Sequence, residues 1–175
     1  MKIKSILILI FCTLLLSSCG FQLRGDATFP LPLRVLYLNS NNPYGLFEAE
    51  LKKALQSTGV TMVENPDQTR FILQISQSDL ALSAASVGTS SQATIYNATY
   101  TVAISLTNNK GGTIVPTEII KSITTLIVNP QQALSSTNQA DLVREQLQRE
   151  TINKIFAILT SKQVREAVYT HENKR

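Results

Sequence analysis

The sequence of 175 residues carries 16 basic and 12 acidic side chains, one histidine and two cysteines. That length suits one domain with a core of its own. The single histidine, His171 near the C-terminal end, excludes most histidine-based metal and triad chemistry.

The chain opens with Lys2 and Lys4, an apolar run from Ile6 to Leu16, and then Leu16-Ser17-Ser18-Cys19. A basic start, a short apolar stretch and small residues before the cut describe a secretory signal. The run is too short for a membrane span, which needs about 20 residues. A cysteine at the cut is the arrangement of a bacterial lipobox. In such signals the thiol receives a diacylglycerol, cleavage follows, and the new amine is acylated. Cys19 is therefore expected as an N-palmitoyl and S-diacylglycerol cysteine. Each buried methylene is worth roughly 0.8 kcal/mol, and one chain anchors only marginally, so three acyl chains predict permanent attachment. Loss of residues 1–18 leaves 157 residues with 14 basic and 12 acidic side chains, a net charge of +2 rather than +4. That balance gives no support to a nucleic-acid role. With Cys12 removed and Cys19 acylated, no disulfide is expected in the mature chain.

Residues 19–32 read as the lipidated N-terminus and a tether, Pro30 and Pro32 favouring extended backbone. Leu33 to Asn39 predicts a short buried strand. Asn39-Ser40-Asn41-Asn42-Pro43 is turn chemistry that also starts a helix. From Tyr44 to Thr58, Phe47, Leu51, Ala54 and Leu55 recur at helical spacing, and Gly59 closes the helix. Val60 to Glu64 is a short extended piece. Phe71, Leu73 and Ile75 then alternate with polar positions in a strand that runs toward Leu82. Ser83 to Gln92 has no periodicity and reads as a loop.

Tyr96, Ala98, Tyr100, Val102, Ile104 and Leu106 alternate with Asn97, Thr99, Thr101, Ser105 and Thr107, a strand with one buried and one hydroxyl-rich face. Asn108-Asn109-Lys110-Gly111-Gly112 is a hairpin connection. The return strand runs from about Ile114 to Val128. Its apolar sets, Ile119/Ile123/Ile127 and Ile120/Leu126, differ in parity, and a β-bulge near Ser122 would reconcile them. After Asn129-Pro130, a helix is predicted from Gln139 to Leu159, with Asp141 in its first turn. Its apolar stripe widens to Ile152, Ile155, Phe156, Ile158 and Leu159, which predicts contact on two sides and points to a covering partner. Ser161 to Tyr169 adds a further helical turn or two, and 171–175 is expected to be disordered.

The elements give an α+β fold: a two-layer sandwich in which a mixed four-stranded sheet carries two helices on one face, in the order β-α-β-β-β-α. The domain is expected to span residues 33–170. Between Phe71 and Ala140 the charged residues are Asp79, Lys110, Glu118 and Lys121 alone. Soluble domains carry charge on about a quarter of their residues. This stretch is therefore either a neutral solvated sheet or a surface that a partner covers.

No P-loop, dinucleotide glycine pattern or metal-ligand spacing appears, so no cofactor or metal is expected. Glu145 and Glu150 lie beside Arg144 and Arg149 on a charged helix face, where ion pairs are the simpler reading than a catalytic pair. The chain reads as a binding or assembly protein rather than an enzyme.

Cys19-Gly20-Phe21-Gln22-Leu23-Arg24-Gly25 at the lipobox resembles the mature start of the LPS-assembly lipoprotein LptE family. Asn129-Pro130-Gln131-Gln132-Ala133-Leu134 before the long helix supports the likeness, as does the extended Gln92–Leu106 strand after a small-residue loop. The resemblance implies an outer-membrane lipoprotein on the periplasmic side. It would plug and help assemble the LptD β-barrel and bind lipopolysaccharide in transit. Some family members carry basic residues where this chain has Thr89, Ser90, Ser135 and Ser136, which leaves Lys110 and Lys121 as candidates for lipopolysaccharide binding. A barrel lumen is polar, so Thr99, Thr101, Ser105, Thr89, Pro130 and Gln131 are expected to contact the barrel. The alternative is a lipoprotein subunit of another envelope lipid-transport or barrel-assembly complex.

Overall fold

A computed structural model describes residues 29–86, 94–128 and 133–173. The signal segment, Cys19, Thr89, Pro130 and Gln131 lie outside them. The elements are β1 (Val35–Ser40), α1 (Leu46–Ser57), β2 (Thr61–Val63), β3 (Phe71–Ser86), β4 (Thr94–Asn108), β5 (Thr113–Val128), α2 (Ala133–Leu159) and α3 (Lys162–Asn173). The sheet has five strands in the order β2-β1-β3-β4-β5. β1 runs parallel to both β2 and β3, and β3, β4 and β5 form an antiparallel meander.

The α+β class and the helix-on-sheet arrangement hold, with corrections: α2 begins at Ala133 rather than Gln139, and β3 runs to Ser86, into the stretch read as a loop. The short piece expected over Val60–Glu64 joins the sheet as edge strand β2, so the strands number five rather than four. The C-terminal turn or two is a separate 12-residue helix, α3, which reaches Asn173 and takes in His171. A break at Ser161, whose Oγ accepts from Val164 N at 3.3 Å, divides it from α2.

Local chemistry sets the ends of α1. Glu48 sits in its first turn, where a carboxylate favours the helix dipole. It is 2% exposed and accepts from Ser40 Oγ at 2.9 Å and Ser78 Oγ at 3.1 Å. At the other end Gly59 takes φ +85°, with its N–H donating to Gln56 O and that of Val60 to Leu55 O. That pair of bonds closes a helix when a residue past its end adopts the left-handed conformation. The β4–β5 connection is built on Asn108, whose Oδ1 accepts from Lys110 N at 3.0 Å and Gly112 N at 2.6 Å, with Gly111 at φ +84°.

One core lies between the layers. It joins Leu36, Leu73, Ile75, Tyr100, Val102 and Ile104 from the sheet to Phe47, Leu51 and Leu55 of α1, Leu147 and Ile155 of α2, and Val164 and Val168 of α3. The widened apolar stripe of α2 finds its second contact within the chain. Phe156 meets Phe29 edge-on at 5.4 Å, and α3 folds back beside it. The stripe is thus explained without a partner.

β1 pairs with β3 only over Phe71–Ile75, so beyond Ser76 the strands β3, β4 and β5 continue as a three-stranded arm. A register shift between Ile75 and Gln77 moves the inward parity of β3 from odd to even, bringing Ser78, Leu80 and Leu82 opposite Val102, Tyr100 and Ala98. Strands of 16 residues span about 50 Å. The bulge expected near Ser122 is not there: β5 pairs in step with β4 from Glu118 to Val128. The irregularities lie at its start, between Glu118 and Thr113, beside Pro116, which cannot donate to the ladder.

Candidate partner-binding face

Both α1 and α2 pack on the inner side of the sheet, leaving its outer side uncovered among the described residues. The in-step register sorts the side chains of this face into columns. On β4 stand Asn97, Thr99, Thr101, Ala103 and Ser105. Opposite them on β3 are Gln77, Asp79, Ala81 and Ser83, with Gln77 Nε2 donating to Asp79 Oδ2 at 2.9 Å. Thr99, Thr101 and Ser105, three of the expected partner-binding residues, therefore share one half-exposed surface.

The third column was not legible as a site. On β5, Ile119, Lys121, Ile123, Thr125 and Ile127 face outward, opposite Ala103, Thr101, Thr99, Asn97 and Ile95. Ile119, Ile123 and Ile127 remain 64%, 62% and 58% exposed. Single exposed apolar residues are ordinary; here three recur in one column of an edge strand, alternating with Lys121 and Thr125. The parity difference read in the sequence as a bulge is instead a strand with two apolar faces, one buried and one bare. The signal was the odd-numbered isoleucine repeat itself.

Lys121 lies in this column, exposed and opposite Thr101. Lys110 sits on the β4–β5 hairpin. Eight strand residues separate Lys121 from the start of β5, roughly 25 Å. The two lysines do not converge on one site.

A polar seam fixes β5 to α2 beneath the face. Thr151 Oγ1 donates to Ser122 Oγ at 2.9 Å, both residues being fully buried. Lys154 Nζ donates to Lys121 O at 2.8 Å and to Ser122 Oγ at 3.1 Å, and it pairs with Glu150 at 2.7 Å. Further in, Gln148 Nε2 donates to the Tyr100 hydroxyl at 3.3 Å. Burial pushes the Tyr100 phenol up from its ordinary value, outweighing the lowering effect of its Gln148 and Ser78 hydrogen bonds. The acidic residues of α2 are in ion pairs, Glu145 with Arg149 at 3.5 Å and Glu150 with Lys154. Among the described residues no group of His, Cys, Asp and Glu is placed to hold a metal ion. No described helix is long and apolar enough to cross a membrane.

The face thus carries hydroxyls and amides in two columns, isoleucines in the third, and Asp79 and Lys121 as its charges over the arm.

Comparison with known proteins agrees in fold and family. The family model described as "LptE: Lipopolysaccharide-assembly" matches residues 33–159. An LPS-assembly lipoprotein LptE from Pectobacterium atrosepticum is 25% identical over 169 residues, covering 91% of this chain and 88% of that protein. One from Yersinia pestis is 25% identical over 172 residues, covering 95% and 80%. The solution structure of an uncharacterized lipoprotein B from Nitrosomonas europaea superposes with a TM-score of 0.64 at 16% identity, covering 88% of this chain and 94% of that one. The crystal structure of the rare lipoprotein B from Shewanella oneidensis gives 0.63 at 17% identity, covering 74% and 96%. At these identities the structural likeness establishes the fold.

Proposed function

We propose a function from one premise: this chain belongs to the LptE lipopolysaccharide-assembly family. After removal of residues 1–18 it is acylated on Cys19 and held on the periplasmic side of the outer membrane. There it seats in the lumen of the LptD β-barrel, helps that barrel reach its assembled state, and takes part in lipopolysaccharide transport to the surface. It carries out no catalytic step.

The observation that carries this reading is the uncovered outer face of the arm. A large barrel presents a polar lumen lined by alternate residues of each strand. Neutral side chains that both donate and accept hydrogen bonds, such as Thr99, Thr101 and Ser105, suit that wall. Isolated charges would be costly to desolvate there. Asp79 is already held by Gln77, which limits that cost. The isoleucine column supplies the apolar burial that hydroxyls alone lack. Thr89 belongs to the connection between Ser86 and Thr94, and Pro130 and Gln131 to that between Val128 and Ala133. Their flanking strand ends lie at the far end of the arm, so these segments extend the same contact. Lys121, on the face itself, is the candidate for a lipopolysaccharide phosphate, and Lys110 is the weaker one.

Photo-crosslinking in cells tests the reading. A crosslinker at Thr101 or Ile123 should yield an adduct with the barrel, whereas one at Lys53, exposed on α1, should not. Adducts with no barrel, or equal adducts from all three positions, would overturn it. Lys121→Asp should weaken lipopolysaccharide capture, and unchanged capture would remove Lys121 from the site.

A further inference from the structure

The columns of the outer face also line up as rows, and one row carries both of its charges. Asp79 pairs with Thr101 and Thr101 with Lys121, so an acid and a base stand at opposite sides of the arm with a hydroxyl between them. Two strand spacings, about 10 Å, separate their backbones. Both side chains are exposed, and neither is in an ion pair among the described residues. The next row runs Ala81–Thr99–Ile123, small at one side and bulky at the other. The row after it ends in Ser83 and Thr125, polar at both sides.

This pattern is complementary to itself. A half-turn about a line parallel to β4, above Thr101, lays each Asp79 over the Lys121 of a second copy. The same rotation sets each Ile123 over an Ala81 and each Thr125 over a Ser83. A half-turn about a line across the strands keeps every column on itself, so the charges there meet their own sign or none. The strand-parallel rotation also leaves both copies of β1 starting from the same end, with Phe29 and the turn before β1 beside it. Two molecules anchored in one leaflet require that arrangement.

We propose that the chain, when no barrel holds it, pairs with a second copy of itself through this face, as a closed two-fold dimer. The pairing rests on the face alone and not on the barrel; a molecule seated in a lumen has the face covered and cannot pair. Two sheets stack about 10 Å apart with strand directions within about 30°, a gap that a lysine stem and a carboxylate cross together. The contact uses the same patch on both copies, so it closes at two and does not grow. Three strands over the length from Gln77 to Ile127 offer only about 400 Å² per copy. Stable complexes bury about 1,200 Å² or more in total, so the dimer is transient, favoured where a shared leaflet raises the local concentration.

The mature acylated chain in phosphatidylcholine vesicles, without barrel, provides the test. Thr101→Cys puts a thiol beside the two-fold axis, where a short bismaleimide joins two copies, and acylation leaves Cys19 without one. Covalent dimer is expected from Thr101→Cys and only at background level from Lys53→Cys, exposed on α1. In the Thr101→Cys chain, Asp79→Lys or Lys121→Glu should each lower the yield about tenfold, because each sets like charges face to face at two places. Mixed together, these two variants should recover the yield as a heterodimer, one copy then bringing two bases to the row and the other two acids. Equal yields from Thr101→Cys and Lys53→Cys, indifference to either charge reversal, or no recovery in the mixture would overturn the proposal. With no barrel in the vesicles, either result is independent of the crosslinking outcome in cells.

Discussion

Replacing Ile119, Ile123 and Ile127 together by Thr separates the stability of the module from its affinity for a partner. Full burial of an isoleucine is worth about 1.5–3 kcal/mol. With roughly six-tenths of each side chain still exposed, about 1–2 kcal/mol per residue is unspent in the free module. Threonine keeps the β-branch that suits a strand, so the triple variant should lose no more than about 1 kcal/mol of folding stability. In a complex that covers the column, the same change should cost about 3 kcal/mol after allowing for the methyl that threonine retains. That is on the order of a hundredfold in Kd. Urea denaturation of the mature chain measures the first quantity, and titration against the purified barrel measures the second. Unchanged barrel affinity would refute the reasoning. So would a loss of several kcal/mol in the free module, since it would mean that the column is already buried.

Two further outcomes follow from the core. Glu48→Ala should lower stability by about 1–3 kcal/mol, because the Ser40 and Ser78 hydroxyls lose their shared acceptor and α1 loses its first-turn carboxylate; the urea midpoint should fall with the slope unchanged. Tyr100, raised by burial, keeps its proton in the folded chain at a pH where an unfolded tyrosine, with an ordinary value of about 10, has begun to lose it. Its stabilising share is therefore complete below about pH 10 and lost as pH rises toward the folded value, with a slope of at most about 1.4 kcal/mol per pH unit. Tyr100→Phe should abolish that slope in urea midpoints taken across alkaline pH.

Local rules carried much of the fold. Gly59 at the end of a helical repeat, the Asn108–Gly112 turn, and the alternation from Tyr96 to Leu106 each depend on neighbours in sequence, and each was legible there. Three residues of β2 have too little periodicity to declare a strand, and only pairing with β1 makes them one. The inward turn of Leu80 and Leu82 depends on a one-residue irregularity beside Ser76 that no local signal marks. The apolar breadth of α2 suggested an external partner because its cover, Phe29, lies far away in sequence. The hydroxyl half of the candidate face followed from alternation. The isoleucine half was hidden because β5 is apolar on both sides, and sequence cannot say which side the helices take.

Lys154 gives the bare arm a safeguard. Edge strands with free carbonyls and apolar side chains invite templated growth into aggregates, and a lysine is a common means of blunting them. Here the ammonium occupies the Lys121 carbonyl midway along β5, fixed from behind by Glu150 and Ser122. A second copy approaching that margin would have to displace a hydrogen-bonded cation before its own backbone could register.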